Sequence, residues 1–130
     1  MVQIAQNFFY ELAVDPVKNR IYFKVFGSWS KEKDVPLYVE HWKQALALVK
    51  PGFSLLSDIR EGREYGVGVR ALHLRVQKMI VAAGLSQVAE VHTLNEPASE
   101  QAIDLAHESN LPLNIFDSLE DAEAWLAEVS

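Results

Sequence analysis

The sequence predicts an α/β domain: a single-layer, mostly parallel sheet of about five strands, the first antiparallel, covered by about four helices. Three observations lead there. Segments rich in aromatic and β-branched residues alternate with segments whose apolar residues recur every three or four positions. Pro, Gly and Asn stand between them as turn formers. The 130 residues match the usual size of one domain, and no repeat or Pro/Gly/Ser-rich linker divides them, so residues 1–130 are read as one unit.

Residues 8–14 and 20–29 form the first two strands. In the second, Ile21, Phe23 and Val25 alternate with Tyr22, Lys24 and Phe26, which puts each set on its own face. Asp15-Pro16-Val17-Lys18-Asn19 between them supplies a turn, so the pair reads as an antiparallel hairpin. A helix follows, with Asp34 as its cap, Pro36 in its first turn and a stripe including Val35, Tyr38, Trp42 and Val49. Pro51-Gly52 ends it. Residues 53–59 are a short strand and 60–66 a loop. Val69, Leu72, Val76, Met79, Ile80 and Ala83 give a second helix, closed by Gly84. Residues 87–93 are a strand, and Asn95 and Pro97 open a third helix. Leu113–Phe116 is the last strand, and Ser118 with Asp121 begins a final helix that buries Trp125 and Leu126. The order ββαβαβαβα implies parallel pairing through right-handed crossovers.

Composition excludes several functions. No cysteine is present, so disulfides, thiolate metal sites and cysteine nucleophiles are ruled out. A net charge of −6, with Glu61 and Glu64 among the arginines of the densest basic region, disfavours nucleic acid. No apolar run is long enough for a transmembrane segment. The first residues lack the pattern of a secretory signal, so a cytoplasmic location is expected.

Four features gather along the chain: the aromatic strand ending in Gly27-Ser28-Trp29-Ser30; Pro51 to Arg60, a strand delivering Asp-X-Arg to a loop; Ala82-Ala83-Gly84-Leu85 before a strand; and the terminal run from Phe116 to Leu126. Together they make the stretch from Arg20 to Trp125 resemble the SpoIIAA-like (STAS-type) domains of bacteria. The resemblance implies a compact α/β domain used for regulation or ligand binding rather than catalysis. Its best-understood members are anti-anti-sigma factors, which bind an ATP-using kinase. They are switched off by phosphorylation of a serine at the start of the helix after the third strand. The matching segment here, Arg60 to Arg70, holds no Ser or Thr, and its one hydroxyl is Tyr65. No phosphorylation site is therefore assigned.

Gly66-Val67-Gly68-Val69-Arg70-Ala71 formally matches a dinucleotide fingerprint, but some six residues separate it from its strand. The glycines read as admitting a helix, whose N-terminus near Arg63 is still able to hold an anion. His41, His73, His92 and His107 show no metal-ligand spacing, and all but His92 read as surface or hydrogen-bonded histidines. No metal, cofactor or catalytic residue is assigned.

The leading expectation is a non-catalytic regulatory or ligand-binding domain. Its site lies at the C-terminal edge of the sheet, where Trp29, Asp58, Arg60, Arg63, His92 and Asn95 gather and an anionic or lipid-like amphipathic molecule binds. Trp29 is either a lid, an interface anchor or a packed strand-end ring. The alternative is a protein-interaction module, self-associating as a homodimer or binding an unknown protein partner through Tyr10, Tyr22 and Phe26. The third and weakest reading is a small enzyme using Asp58 or His92 as acid or base.

Overall fold

The computed structural model describes residues 1–129. The chain runs β1 (Val2–Gln6), β2 (Tyr10–Asp15), β3 (Arg20–Val25), α1 (Tyr38–Leu46), β4 (Ser54–Asp58), α2 (Val67–Ala82), β5 (Gln87–Val91), α3 (Pro97–Ser109), β6 (Leu113–Phe116) and α4 (Leu119–Val129). The strands form one sheet in chain order; β1–β2 and β2–β3 pair antiparallel and the rest parallel. Only β2 therefore runs against the others.

Six strands stand where about five were expected. The additional one, β1, exposes most of its side chains and is held by its ladder to β2, so it carries little apolar periodicity. The β2–β3 turn forms as its residues predict. Asp15 Oδ1 accepts the Val17 and Lys18 N–H groups at 3.1 and 3.2 Å, and Asn19 takes a positive φ. The first helix differs at its start. A 3₁₀ turn at Glu32–Asp34 precedes it, Asp34 Oδ2 accepts the Lys31 N–H at 3.2 Å, and α1 begins only at Tyr38. Asp34 thus closes the turn rather than capping the helix.

Sequential parallel strands joined by right-handed crossovers must put every crossover on one side. Accordingly α1, α2 and α3 share a face with Leu12, Val14, Ile21, Leu55 and Val88. The opposite face receives α4, whose Ala122 and Leu126 pack on Leu56, Ala89 and Val91. Burying a leucine such as Leu126 contributes about 2 kcal/mol. Trp125 is only partly buried, against Phe116 at 5.5 Å between centroids.

Period two then assigns residues to sides. Phe23, Ser57, Ile59 and Glu90 face the three crossover helices, whereas Tyr22, Lys24, Leu56 and Asp58 face the α4 side.

Candidate functional site

On the crossover side, β3–β5 and helices α1–α3 enclose a cavity of about 80 Å³. Its wall includes the rings of Phe23, Trp29, Tyr38, Trp42, Tyr65 and His73. These rings pack edge-on or tilted, with His73 at 4.7 Å from Trp29 and 4.9 Å from Tyr65. Tyr38 Oη meets His73 Nδ1 at 3.0 Å. Desolvation pushes His73 down to about 4, so the ring is neutral at pH 7, and pushes the Tyr65 phenol up to about 12. Of the two expectations for His73, surface or hydrogen-bonded, the second holds: α2 turns the ring toward Trp29 and it bonds Tyr38 within this aromatic wall.

Glu90 also lines the cavity, and it is the residue the sequence reading missed. Its Oε1 lies 2.8 Å from His92 Nε2, and His92 Nδ1 lies 2.7 Å from Ser99 Oγ in the first turn of α3. All three side chains are more than nine-tenths buried. With Glu90 as acceptor, Nε2 carries the imidazole proton and Nδ1 accepts the serine hydroxyl. The chain of bonds ties β5 to α3.

Beside this cavity a polar cleft of about 490 Å³ opens at the C-terminal end of the strands, lined among others by Arg60, Arg63, Glu64, Thr93, Glu96 and Ser99. Ile59, Gly62, Arg63 and Ala98 line both spaces, so the cleft and the cavity share a wall. A Cβ on Gly62 would stand 2.7 Å from Val25 Cγ2, and only glycine lets this wall approach β3 so closely.

The predicted site residues separate into three groups. Arg60 and Arg63 do line the cleft. Arg63 donates to the Gly62 carbonyl at 3.0 Å and has no carboxylate partner among the described residues. Asp58 faces the α4 side and is occupied by Arg60, which binds it at 3.0 and 2.9 Å through its side chain and at 3.1 Å through its backbone N–H. Burial pushes the Asp58 carboxyl up, but these bonds and the Arg60 charge outweigh it and hold it below the ordinary value. His92 is interior, a link rather than a surface group. Trp29 is no lid. It is buried, and its Nε1 donates to the Phe9 and Phe26 carbonyls at 3.1 Å each, which fixes the ring as cavity wall. Asn95 is exposed with φ +66°, a turn residue outside both linings.

The expected aromatic surface patch does not form. Tyr10 is buried beneath α1, its hydroxyl 2.6 Å from His41 Nδ1. Tyr22 packs against the α4 cluster, and Phe26 is half-buried with the Lys24 ammonium 5.3 Å from its centroid. The α2 N-terminus is no anion site either. Cβ atoms on Gly66 and Gly68 would stand 2.9 Å from the Ser30 carbonyl and 3.0 Å from Glu32 Oε1, so these glycines admit the Ser30–Glu32 segment. The helix that opens on the cleft is α3, through Pro97, Ala98 and Ser99.

No group of His, Asp and Glu side chains among the described residues is arranged to hold a metal ion, and no helix is long and apolar enough to cross a membrane. No family model and no curated protein matches the sequence. Among solved structures, the chain is similar to an uncharacterised protein of the DUF3478 family with a SpoIIAA-like fold from Shewanella loihica PV-4. The match has a TM-score of 0.68 at 14% identity and spans 94% of this chain and 97% of that one. At that identity the likeness speaks for architecture, and with the sheet order described above it establishes that this chain has the SpoIIAA-like fold.

Proposed function

We propose that this is a non-catalytic ligand-binding domain for a small amphipathic anion. The anionic group sits in the cleft beside Arg63, and the apolar part passes the shared wall into the aromatic cavity. The shared lining carries this reading: an apolar enclosure and a polar cleft with an uncompensated arginine meet at Ile59, Gly62, Arg63 and Ala98. Arg60 is already neutralised by Asp58, so Arg63 is the main anchor. Glu64 and Glu96 on the cleft lining repel an anion held far from Arg63 and so favour the inner position.

Binding without catalysis is supported by the state of Ser99, a nucleophile beside a base. Ser99 Oγ bonds His92, as a hydrolytic serine would; the residue lines the cleft but is only 5% exposed, and its hydroxyl is taken up by the buried imidazole. A nucleophile must meet its substrate.

Calorimetric titration with octyl phosphate, octanol and octylamine tests the proposal. Octyl phosphate should bind saturably and about tenfold or more tighter than the other two, and Arg63→Gln should remove about tenfold of that affinity. Equal binding of all three, or no saturable binding of the phosphate, would overturn it.

A further inference from the structure

The inner end of the cavity is not simply apolar. Trp42 is 1% exposed, and its Nε1, though close to the Tyr38 hydroxyl, lies outside hydrogen-bonding geometry with every described residue. The Tyr65 hydroxyl is buried and likewise has no partner. Glu90 bonds His92 through Oε1 and lines the same space. All three side chains line the same cavity.

Buried polar atoms without partners are costly, so the Trp42 indole N–H and the Tyr65 hydroxyl each mark a place where something else completes the bond. The chemistry required is specific. An indole N–H only donates, a carboxylate only accepts, and a phenol does both. A methyl terminus leaves all of these atoms unmatched. An ammonium answers Glu90 but gives Trp42 nothing to donate to. A hydroxyl answers both.

From this juxtaposition we infer that the ligand ends, inside the cavity, in a hydroxyl or similar group that both donates and accepts hydrogen bonds. The ligand class is then an anion at one end and a neutral polar group at the other, joined by an apolar linker, rather than a simple fatty chain. The inference rests on the amphipathic-anion reading and narrows it. Glu90 takes the role of specificity-determining acceptor, held in orientation by His92 and Ser99.

Titration of the full chain with octanoate, 8-hydroxyoctanoate and 8-aminooctanoate separates the possibilities. The hydroxylated acid should bind about tenfold or more tighter than octanoate and tighter than the amino acid, because bonds to a charged acceptor outweigh neutral ones. In an ¹H–¹⁵N spectrum it should shift the Trp42 indole resonance, assigned with Trp42→Phe, whereas octanoate should not match that shift. Glu90→Leu should abolish the hydroxyl preference; the ligand series on the native chain keeps the inference testable if that variant does not fold. Octanoate binding as tightly as 8-hydroxyoctanoate would overturn the inference while leaving the amphipathic-anion reading standing. A preference for 8-aminooctanoate would also overturn it, replacing the hydroxyl with a cation. No saturable binding of any of the three would remove both.

Discussion

Two acidic side chains on neighbouring strands, Asp58 on β4 and Glu90 on β5, meet opposite fates. Asp58 faces the α4 side and is closed by Arg60 two residues later, three hydrogen bonds within one short segment. Glu90 faces the crossover side and bonds His92, just past the end of its own strand, which in turn bonds Ser99 on α3. The first arrangement is local and self-sufficient. The second adds a link to α3 through Ser99, and its carboxylate lines a cavity. Both carboxylate oxygens of Asp58 are bonded by Arg60, whereas Glu90 bonds His92 through Oε1 alone.

The sharpest way to break this contrast is to remove the two partners. His92→Leu leaves the Glu90 carboxylate buried without its donor and Ser99 without its acceptor, and should cost about 3–5 kcal/mol of unfolding free energy. Arg60→Gln keeps the backbone N–H on Asp58 and supplies an amide donor, and the Arg60 side chain is 36% exposed. About 1–2 kcal/mol is expected there. Urea denaturation of both variants measures the difference, and equal losses would deny that the two sides differ in kind.

Acid separates the two sides next. His73 titrates near 6.5 when unfolded but is held at about 4 in the fold. Below 6.5 the unfolded chain gains the proton and the folded one does not, so stability is lost as pH falls from 6.5 to 4, by about 3 kcal/mol in all. Asp58, with its folded value lowered, contributes above 3.8 and loses that contribution only as pH falls further through its folded value. The cavity side should therefore weaken first. His73→Phe should flatten the profile between pH 6.5 and 4, while Arg60→Gln should alter it only below about 4. A profile unchanged by His73→Phe would mean the ring is not responsible.

Much of this was legible beforehand. Alternation in Ile21–Val25 and the turn residues Asp15 and Asn19 locate the hairpin, and the apolar spacing on α2 and α4 fixes their buried faces. Arg60 and Arg63 follow from their place after β4. The sequence reading failed where both sides of the sheet are covered. Val88-Ala89-Glu90-Val91-His92 is buried on both faces, so the strand looks like a core run and Glu90 like a stray charge. Its spacing from His92 was the available signal, because residues two apart on a strand share a face. Tyr10 was misplaced for another reason, and it is the packed reading of Trp29 and the hydrogen-bonded reading of His73 that hold. Each has a polar atom that suggests solvent, and each satisfies it inside, on His41, on two backbone carbonyls and on Tyr38 respectively. Pattern reveals which residues are amphipathic, not where their partners lie.

The smallest expected effect extends the contrast to a third acid. Glu64 lines the cleft but is exposed, so its field reaches an anion beside Arg63 through water. Glu64→Gln should raise octyl phosphate affinity about two- to threefold at low ionic strength and hardly at all in 1 M salt, where screening shortens to about 3 Å. Glu90 differs in both respects. Its bonds are buried, so the discrimination it imposes among cavity termini should persist in the same salt. If the Glu64 effect survived high salt, or the preference for a hydroxylated terminus vanished in it, the assignment of one acid to the solvent-facing cleft and the other to the enclosed cavity would have to be exchanged.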